Sequence, residues 1–306
     1  MKIFMTATSL ALSYGGPAIC VPRLARALAE AGADVSVWSA NGKHSKTFGS
    51  EGVRISTGEN FQQSIAKFGR PDIIHDNGLW LLHNHEIAHY ARERAIPRIV
   101  SLHGMLEPWA RKFKRFKKGL AWHLYQRRDL QIAGALHAAC KEEAENLSRI
   151  GITAPIVTIP FGADALPRMK VEEAWRWKEA RAFSGRRKAL FLGRLHPVKG
   201  LPNLIEAWAN LRPQNWQLVL AGPDEDNYRT HLANMVAARQ LQKSIVFWGP
   251  VSGDTKTNLI LGADLFVLPS LQENFGMAAA EALAGGVPAI TTTEAPWSRL
   301  PEANAG

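Results

Sequence analysis

Short, continuously apolar segments run into a glycine-bearing loop and then into an amphipathic helix, and the chain repeats this unit in both halves. In the first half KIFMTA leads through SYGGPA into CVPRLARALAEAG, whose apolar residues recur at helical spacing up to a terminal Gly, and VSVWS follows as the next strand. In the second half ALFLG leads through RLHPVKG into LPNLIEAWANL, with QLVLAG, IVFWG and DLFVLPS as later strands. Strands that are apolar throughout, not alternately, are covered on both faces. Their alternation with helices predicts an α/β protein with parallel sheets. Because the pattern occurs twice, the expectation is two doubly wound, Rossmann-like domains. Between them MKVEEAWRWKEARAFSGRR, charged and without strand character, reads as a helical linker ending in a turn. Placing the boundary there gives domains of residues 1–165 and 166–306.

Composition agrees with that size. With 306 residues, 46% of them apolar and 21% charged, the chain has enough apolar surface for two cores. Its only cysteines, Cys20 and Cys140, are far apart and in no metal-ligand spacing, which argues against a disulfide framework and suits a reducing compartment such as the cytoplasm. The start, MKIFMTATSLAL, is broken by Thr and Ser and reads as a first strand rather than a signal peptide. No apolar run reaches the roughly 18 residues that a spanning helix needs.

Doubly wound sheets bind ligands in the crevice at the carboxyl ends of their strands. In the second half those ends carry Arg194 and Lys199 after ALFLG, the turns Gly222-Pro223 and Gly249-Pro250-Val251, and ENFG after DLFVLPS. Two cations beside Gly200 at a helix start, and a second helix start at GMAAAEALAGG, favour a doubly negative, phosphate-bearing ligand. Glu273 belongs to the loop and Glu281 lies about one turn inside the helix. A carboxylate accepting two hydrogen bonds from a vicinal diol suits a ribose or a hexose. One carboxylate per sugar, with a phosphate bridge between them, describes a nucleotide-sugar. By itself the pair reads more simply, as a favourable charge at a helix start plus a solvated surface residue.

Three motifs in this order go further. F-L-G-R-L-x-x-x-K-G at 191–200, E-x7-E enclosing N-F-G at 273–281, and G-G-P-A at 15–18 together resemble the retaining GT-B glycosyltransferases of family four. SLHGMLEPWA at 101–110 is similar to the bacterial branch that builds surface polysaccharides. The resemblance covers nearly the whole chain. It implies two Rossmann-like domains facing across a cleft, the first on the acceptor side and the second binding the donor. By the same resemblance, Gly15 and Gly16 let the backbone approach the acceptor or the donor phosphate. Arg194 and Lys199 hold the pyrophosphate in place of a metal, Glu273 faces the donor sugar and Glu281 takes the ribose. Asn274, Phe275 and Gly276 offer backbone amides, and His103 lies near the donor sugar. No cofactor is implied. The partners are a UDP- or GDP-linked sugar and a saccharide or polyprenyl-diphosphate-linked acceptor, on the inner face of the cytoplasmic membrane. Nucleic acid is not expected, since its familiar binding signatures are absent.

Other classes compete. His85-Glu86-x-x-His89 is formally a zinc-peptidase motif. The stretch WARKFKRFKKGLAWHLYQRRD at 109–129 spaces Trp109, Phe113, Phe116, Leu120 and Leu124 as one basic amphipathic helix. That suits a non-catalytic protein on an anionic membrane surface, or a core-packed helix with a solvated cationic face. A nucleotide-sugar epimerase is a further GT-B possibility. Family members usually continue past TTTEAPWSRLPEANAG, so a chain of this length is expected to leave apolar surface near VPAITTT and Trp297 uncovered, to self-associate and to turn donor over slowly. If the two cations replace a metal, sugar transfer survives EDTA, and Lys199→Ala weakens a nucleoside diphosphate more than a monophosphate. Activity abolished by chelation and restored by Mg²⁺ contradicts that assignment.

Overall fold

A computed structural model describes residues 1–11, 14–42, 52–164, 166 and 186–297. It separates into two compact units, Met1–Phe161 and Gly162–Gly306. Residues 169–185 of the segment read as a helical linker, and the C-terminal stretch after Trp297, lie outside the described residues, and Arg187, read as the linker's end, already begins a strand. No helix among the described residues is long and apolar enough to cross a membrane.

The first unit holds a seven-stranded sheet, all parallel. Its strands are β1 (Lys2–Ala7), β2 (Asp34–Ser39), β3 (Val53–Thr57), β4 (Ile73–Asn77), β5 (Arg98–Ser101), β6 (Ala135–Ala138) and β7 (Ile156–Thr158), in the order β3-β2-β1-β4-β5-β6-β7. β1 shows why apolar residues follow one another along a strand instead of alternating with polar ones. Ile3, Met5 and Ala7 point to one face and pack with Val21 and Ala25 of helix Pro17–Glu30, while Phe4 points to the other and meets Phe61, Phe68 and Ile87. Each face therefore needs its own cover, and both are buried.

The second unit repeats the logic with five parallel strands: β8 (Arg187–Leu192), β9 (Trp216–Ala221), β10 (Ile245–Gly249), β11 (Leu265–Leu268) and β12 (Ala289–Thr291), ordered β10-β9-β8-β11-β12. Leu190 and Leu192 enter one core with Val219, Phe266 and Ala282, whereas Ala189 and Phe191 enter the opposite one with Leu218, Ile205 and Leu232. In both sheets the order reverses beside the first strand, at β1/β4 and at β8/β11. The connections leave to opposite faces there, and the carboxyl edge opens.

At the β8/β11 switch the two loops touch. Gly200 has φ +63, and a Cβ on it would lie 2.0 Å from the Pro269 carbonyl oxygen. The Leu271 amide donates to the Val198 carbonyl at 2.8 Å, which locks the contact. Only a residue without a side chain lets the loop after β8 cross so close to the loop after β11.

The segment 109–129 is not one helix. It breaks into helices Pro108–Lys112 and Arg115–Ala121, a π-helical turn Trp122–Gln126 and a final helix Arg127–Gln131. Phe113 is extended and Lys114 sits at φ +53, which ends the first helix. Farther on, Gln126 accepts the Trp80 amide at 2.7 Å and Tyr125 donates to the Trp80 carbonyl at 2.7 Å, anchoring the wider turn. The apolar residues do not pack inward: Phe113, Phe116, Leu120 and Leu124 are 59%, 79%, 63% and 69% exposed. Helical spacing located the turns, but no core faces these side chains.

Gly200→Ala should destabilise the protein by roughly 2–4 kcal/mol, from the left-handed backbone and the forced contact together. Gly16→Ala should be nearly neutral, since a Cβ there meets nothing within 4 Å. Urea unfolding of the two variants reads the contrast, and equal stabilities would show that the Pro269 contact yields without cost.

Candidate functional site

In the second unit the switch point gathers four of the residues singled out above. The loop after β8 carries Arg194 and, through the single turn Pro197–Lys199, presents Lys199. The loop after β11 carries Glu273 and ends at Gly276, the N-cap of helix Met277–Ala284. Lys199 Nζ donates to Glu273 Oε2 at 2.6 Å across the switch point, and Ser270 Oγ donates to the same oxygen at 3.0 Å. Both charged side chains are largely shielded, 16% and 13% exposed. The Glu273 carboxylate is thus fixed by two donors from two different loops. An ammonium has three protons, so Lys199 keeps donors for a further anion while it holds Glu273.

Arg194 is farther out, with Nη1 donating to Glu225 Oε2 at 2.5 Å from the loop after β9. The cations expected to be free for phosphate are therefore both counter-ions of carboxylates. Glu225 belongs to Asp224-Glu225-Asp226, the chain's formal Asp-x-Asp. Here Glu225 takes Arg194 and Asp224 caps the Arg229 amide at 2.9 Å, and His196 stands close enough to Glu225 to feel its charge. Sequence reading missed Glu225 because a pairing across 31 residues has no periodic signature.

Glu281 is not a solvated surface residue. It is 2% exposed, and Lys256 Nζ from helix Gly253–Leu261 lies 2.7 and 2.5 Å from its two oxygens. A carboxylate this deep is tolerated because its charge is matched at contact distance. Gly276, at φ +79, has Leu268, Trp297 and Glu273 where a Cβ would go. Phe275 is buried against the Trp297 ring and accepts its Nε1–H at 2.6 Å. Beside it, Asn274 Oδ1 is buried with no hydrogen-bond partner among the described residues.

In the first unit Gly16 is the N-cap of helix Pro17–Glu30, and Gly15 before it has φ +89. Cys20, one turn in, lies with Sγ 3.8 Å from His103 Nδ1, so the glycine loop and His103 share one corner of the carboxyl edge. His103 sits just past β5 at φ +51, stacked on Phe161 with rings 5.5 Å apart. Its Nε2 is 3.0 Å from Asn77 Oδ1, and Asn77 Nδ2 in turn donates to the His75 carbonyl. Oδ1 is therefore the acceptor, and the imidazole carries its proton on Nε2. Burial, reinforced by His75 and His137, pushes the His103 pKa down to about 3. It is a neutral ring at neutral pH. The loop that bears it is tied down by Glu143, whose two oxygens accept the Gly104 and Ala139 amides, each at 2.7 Å.

The zinc-type motif falls on helix Leu82–Glu93. His85 Nδ1 is 2.8 Å from Asp129, Glu86 accepts from Gln62, and His89 is 3.3 Å from Glu93. Among the described residues no group of three His, Cys, Asp or Glu is placed to hold a metal.

Comparisons with known proteins meet this geometry from outside. Residues 15–162 match the family model described as a glycosyl transferase 4-like domain, and residues 172–299 the one described as glycosyl transferases group 1. An uncharacterized glycosyltransferase of Methanocaldococcus jannaschii is 38% identical over 105 residues, 34% of this chain and 26% of that protein. The GDP-mannose:cellobiosyl-diphosphopolyprenol alpha-mannosyltransferase of Xanthomonas oryzae pv. oryzae is 33% identical over 117 residues, 37% of this chain and 30% of its own length. The matched segments thus span about a third or less of these relatives. Among solved structures, Anabaena HepE in complex with UDP and glucose superposes with a TM-score of 0.79 at 21% identity, over 98% of this chain and 83% of that one. That likeness shows the GT-B fold.

The buried imidazoles make the first unit's stability depend on pH. His75, whose Nε2 is 2.7 Å from Ser101 Oγ, has its pKa lowered from 6.5 to about 4 by burial and by His137. The unfolded chain accepts a proton there that the folded chain refuses. Its contribution to stability is complete above pH 6.5 and drains away as pH falls from 6.5 to about 4, at up to about 1.4 kcal/mol per unit. His75→Gln should flatten that part of a Tm–pH profile. A variant profile as steep as the wild type's would mean the ring is already protonated in the fold.

Proposed function

This chain belongs to the GT-B glycosyltransferases of the group 1 and 4-like type, and on that premise we propose that it transfers a hexose-type sugar, with retention, from a UDP- or GDP-linked donor to a saccharide or lipid-linked saccharide. The observation that carries the reading is the Lys199–Glu273 contact across the β8/β11 switch point, with Glu281 one turn into the adjoining helix. In this reading the donor pyrophosphate draws Arg194 and Lys199 partly away from Glu225 and Glu273. The two cations then neutralise the departing nucleoside diphosphate without a metal. Glu273, oriented by Ser270, faces the donor sugar, where positive charge develops as the glycosidic bond to phosphate breaks. Glu281, prealigned by Lys256, accepts the ribose hydroxyls, and the amides of Asn274, Phe275 and Gly276 line the phosphate and sugar. Neutral His103, with its Nε2–H fixed by Asn77, is a hydrogen-bonding group toward the sugar rather than a cation.

Support for a lipid-linked acceptor comes from the Xanthomonas relative, whose name specifies a diphosphopolyprenol. A place in surface polysaccharide biosynthesis, on the cytoplasmic face of the membrane, follows from that acceptor. The test is a panel of nucleotide-sugars read by thermal shift and by release of nucleoside diphosphate. Glu281→Ala should chiefly raise KM, by roughly 1.5–3 kcal/mol of lost binding, whereas Glu273→Ala should chiefly lower kcat. Unchanged donor affinity in Glu281→Ala removes the ribose assignment, and sugar release without any acceptor dependence turns the reading toward an epimerase.

A further inference from the structure

The first unit holds a second feature, built on Trp80 and on the segment that follows His103. Trp80, Trp122, Arg111, Arg115, Lys118 and His123 line an open cavity of about 310 Å³. Lys118 Nζ lies 5.4 Å from the Trp80 ring centre, and the Arg111 guanidinium lies 5.8 Å from that of Trp122. The two tryptophan rings are 6.2 Å apart. From Pro108 to Arg128 the chain has eight Lys and Arg and no Asp or Glu, against a net charge of +10 for the whole protein. Among the described residues, Arg111, Arg115 and Lys118 form no ion pair with a carboxylate. Lys118 Nζ donates to the Ala110 carbonyl at 2.6 Å, and burial, followed by the neighbouring Lys114, lowers its pKa.

Beside the cavity lies the apolar face. Helix Arg115–Ala121 directs Arg115, Lys118 and Gly119 at the cavity, and about 100° around its axis it shows Phe116 and Leu120 to solvent. Leu124 continues that face, and Phe113 flanks it. Large, exposed apolar side chains next to cations that pair with no carboxylate among the described residues match a ligand that is itself anionic at one end and apolar at the other. Nucleic acid would leave the apolar face in water, and protein interface cores are depleted in Lys.

We propose that this cavity is a binding site for the phosphate of an anionic membrane lipid, with Arg111, Arg115 and Lys118 around the phosphate and Phe116, Leu120 and Leu124 inserted among the acyl chains. Tryptophans at the cavity wall suit the headgroup depth, where an amphipathic ring has one side in hydrocarbon and the other wet. The site thereby holds the first unit against a membrane surface, which deepens the lipid-linked acceptor reading and rests on it only for the choice of a lipid.

Vesicle co-sedimentation without any sugar donor tests the site separately from transfer. With equal parts phosphatidylglycerol and phosphatidylcholine, the wild type should sediment, and pure phosphatidylcholine should retain far less. The exposed pair R111Q/R115Q should weaken binding by at least about tenfold, as should F116S/L120S, with thermal unfolding unchanged. Failure of the wild type to bind overturns the proposal. So does undiminished binding by R111Q/R115Q. Full binding by F116S/L120S, with displacement by inorganic pyrophosphate, would make it a site for free phosphate instead. Dependence of an oligonucleotide or of self-association on these residues, without vesicle binding, would assign the surface to those partners. Loss of vesicle binding with intact transfer to a soluble acceptor would leave the transferase reading standing by itself.

Discussion

Every strand pairing in both sheets is parallel, and a parallel strand cannot be reached by a tight turn. Each connection must leave the carboxyl end of one strand, cross a face and re-enter at the amino end of the next. Two consequences carry the rest of the structure. The crossing helices bury both faces of each sheet, so successive residues in the middle of a strand, such as Ile3-Phe4-Met5 of β1 and Ala189-Leu190-Phe191-Leu192 of β8, are apolar whichever face they point to. The loops at the carboxyl ends are relieved of packing duty, and where the winding reverses two of them lie side by side. Arg194, Lys199, Glu273 and Gly276 all stand on such loops, and Gly15, Gly16 and His103 stand on their counterparts in the first unit.

Charge is handled differently on the two units. In the second, each cation at the switch point has a carboxylate within contact distance, Lys199 with Glu273 and Arg194 with Glu225, and Lys256 does the same for buried Glu281. An ion of this kind costs far more to bury singly than beside its partner, so the pairs hold these side chains in fixed places. In the first unit the corresponding corner is built from neutral groups. His75, Ser101, His137 and the Ile159 carbonyl form a chain of hydrogen bonds beside the ring pair of His103 and Phe161. His75 and His103, which burial keeps uncharged, add hydrogen-bonding direction there without adding charge.

The basic segment departs from both patterns. Among the described residues its cations form no ion pair with a carboxylate, and Phe113, Phe116, Leu120 and Leu124 are left exposed, although they repeat at helical spacing. Periodicity tells which residues share a face of a helix. It does not tell whether that face meets a core or something outside the chain. Lys114 in a left-handed conformation and the π-helical turn at Trp122 show how the segment is bent to stay on the surface.

The sequence by itself determined the class of fold and which charged residues stand at its loop ends. Unbroken apolar strands alternating with helices admit few arrangements other than parallel sheets covered on both sides, and the spacing Arg194, Lys199, Glu273, Glu281 placed four charged residues at carboxyl-edge loops or one turn beyond. Those are local signals, carried by neighbours within a few residues. Tertiary structure alone decided which charge meets which. Lys199 finds Glu273 across 74 residues and Lys256 finds Glu281 across 25, because β8 lies beside β11 and the helix after β10 lies beside the helix after β11. It also decided that Glu281 is buried, that Gly200 is required by the Pro269 carbonyl, and that Phe116, Leu120 and Leu124 face outward. Each of these follows from what the folded chain brings alongside, and no pattern along the chain records that.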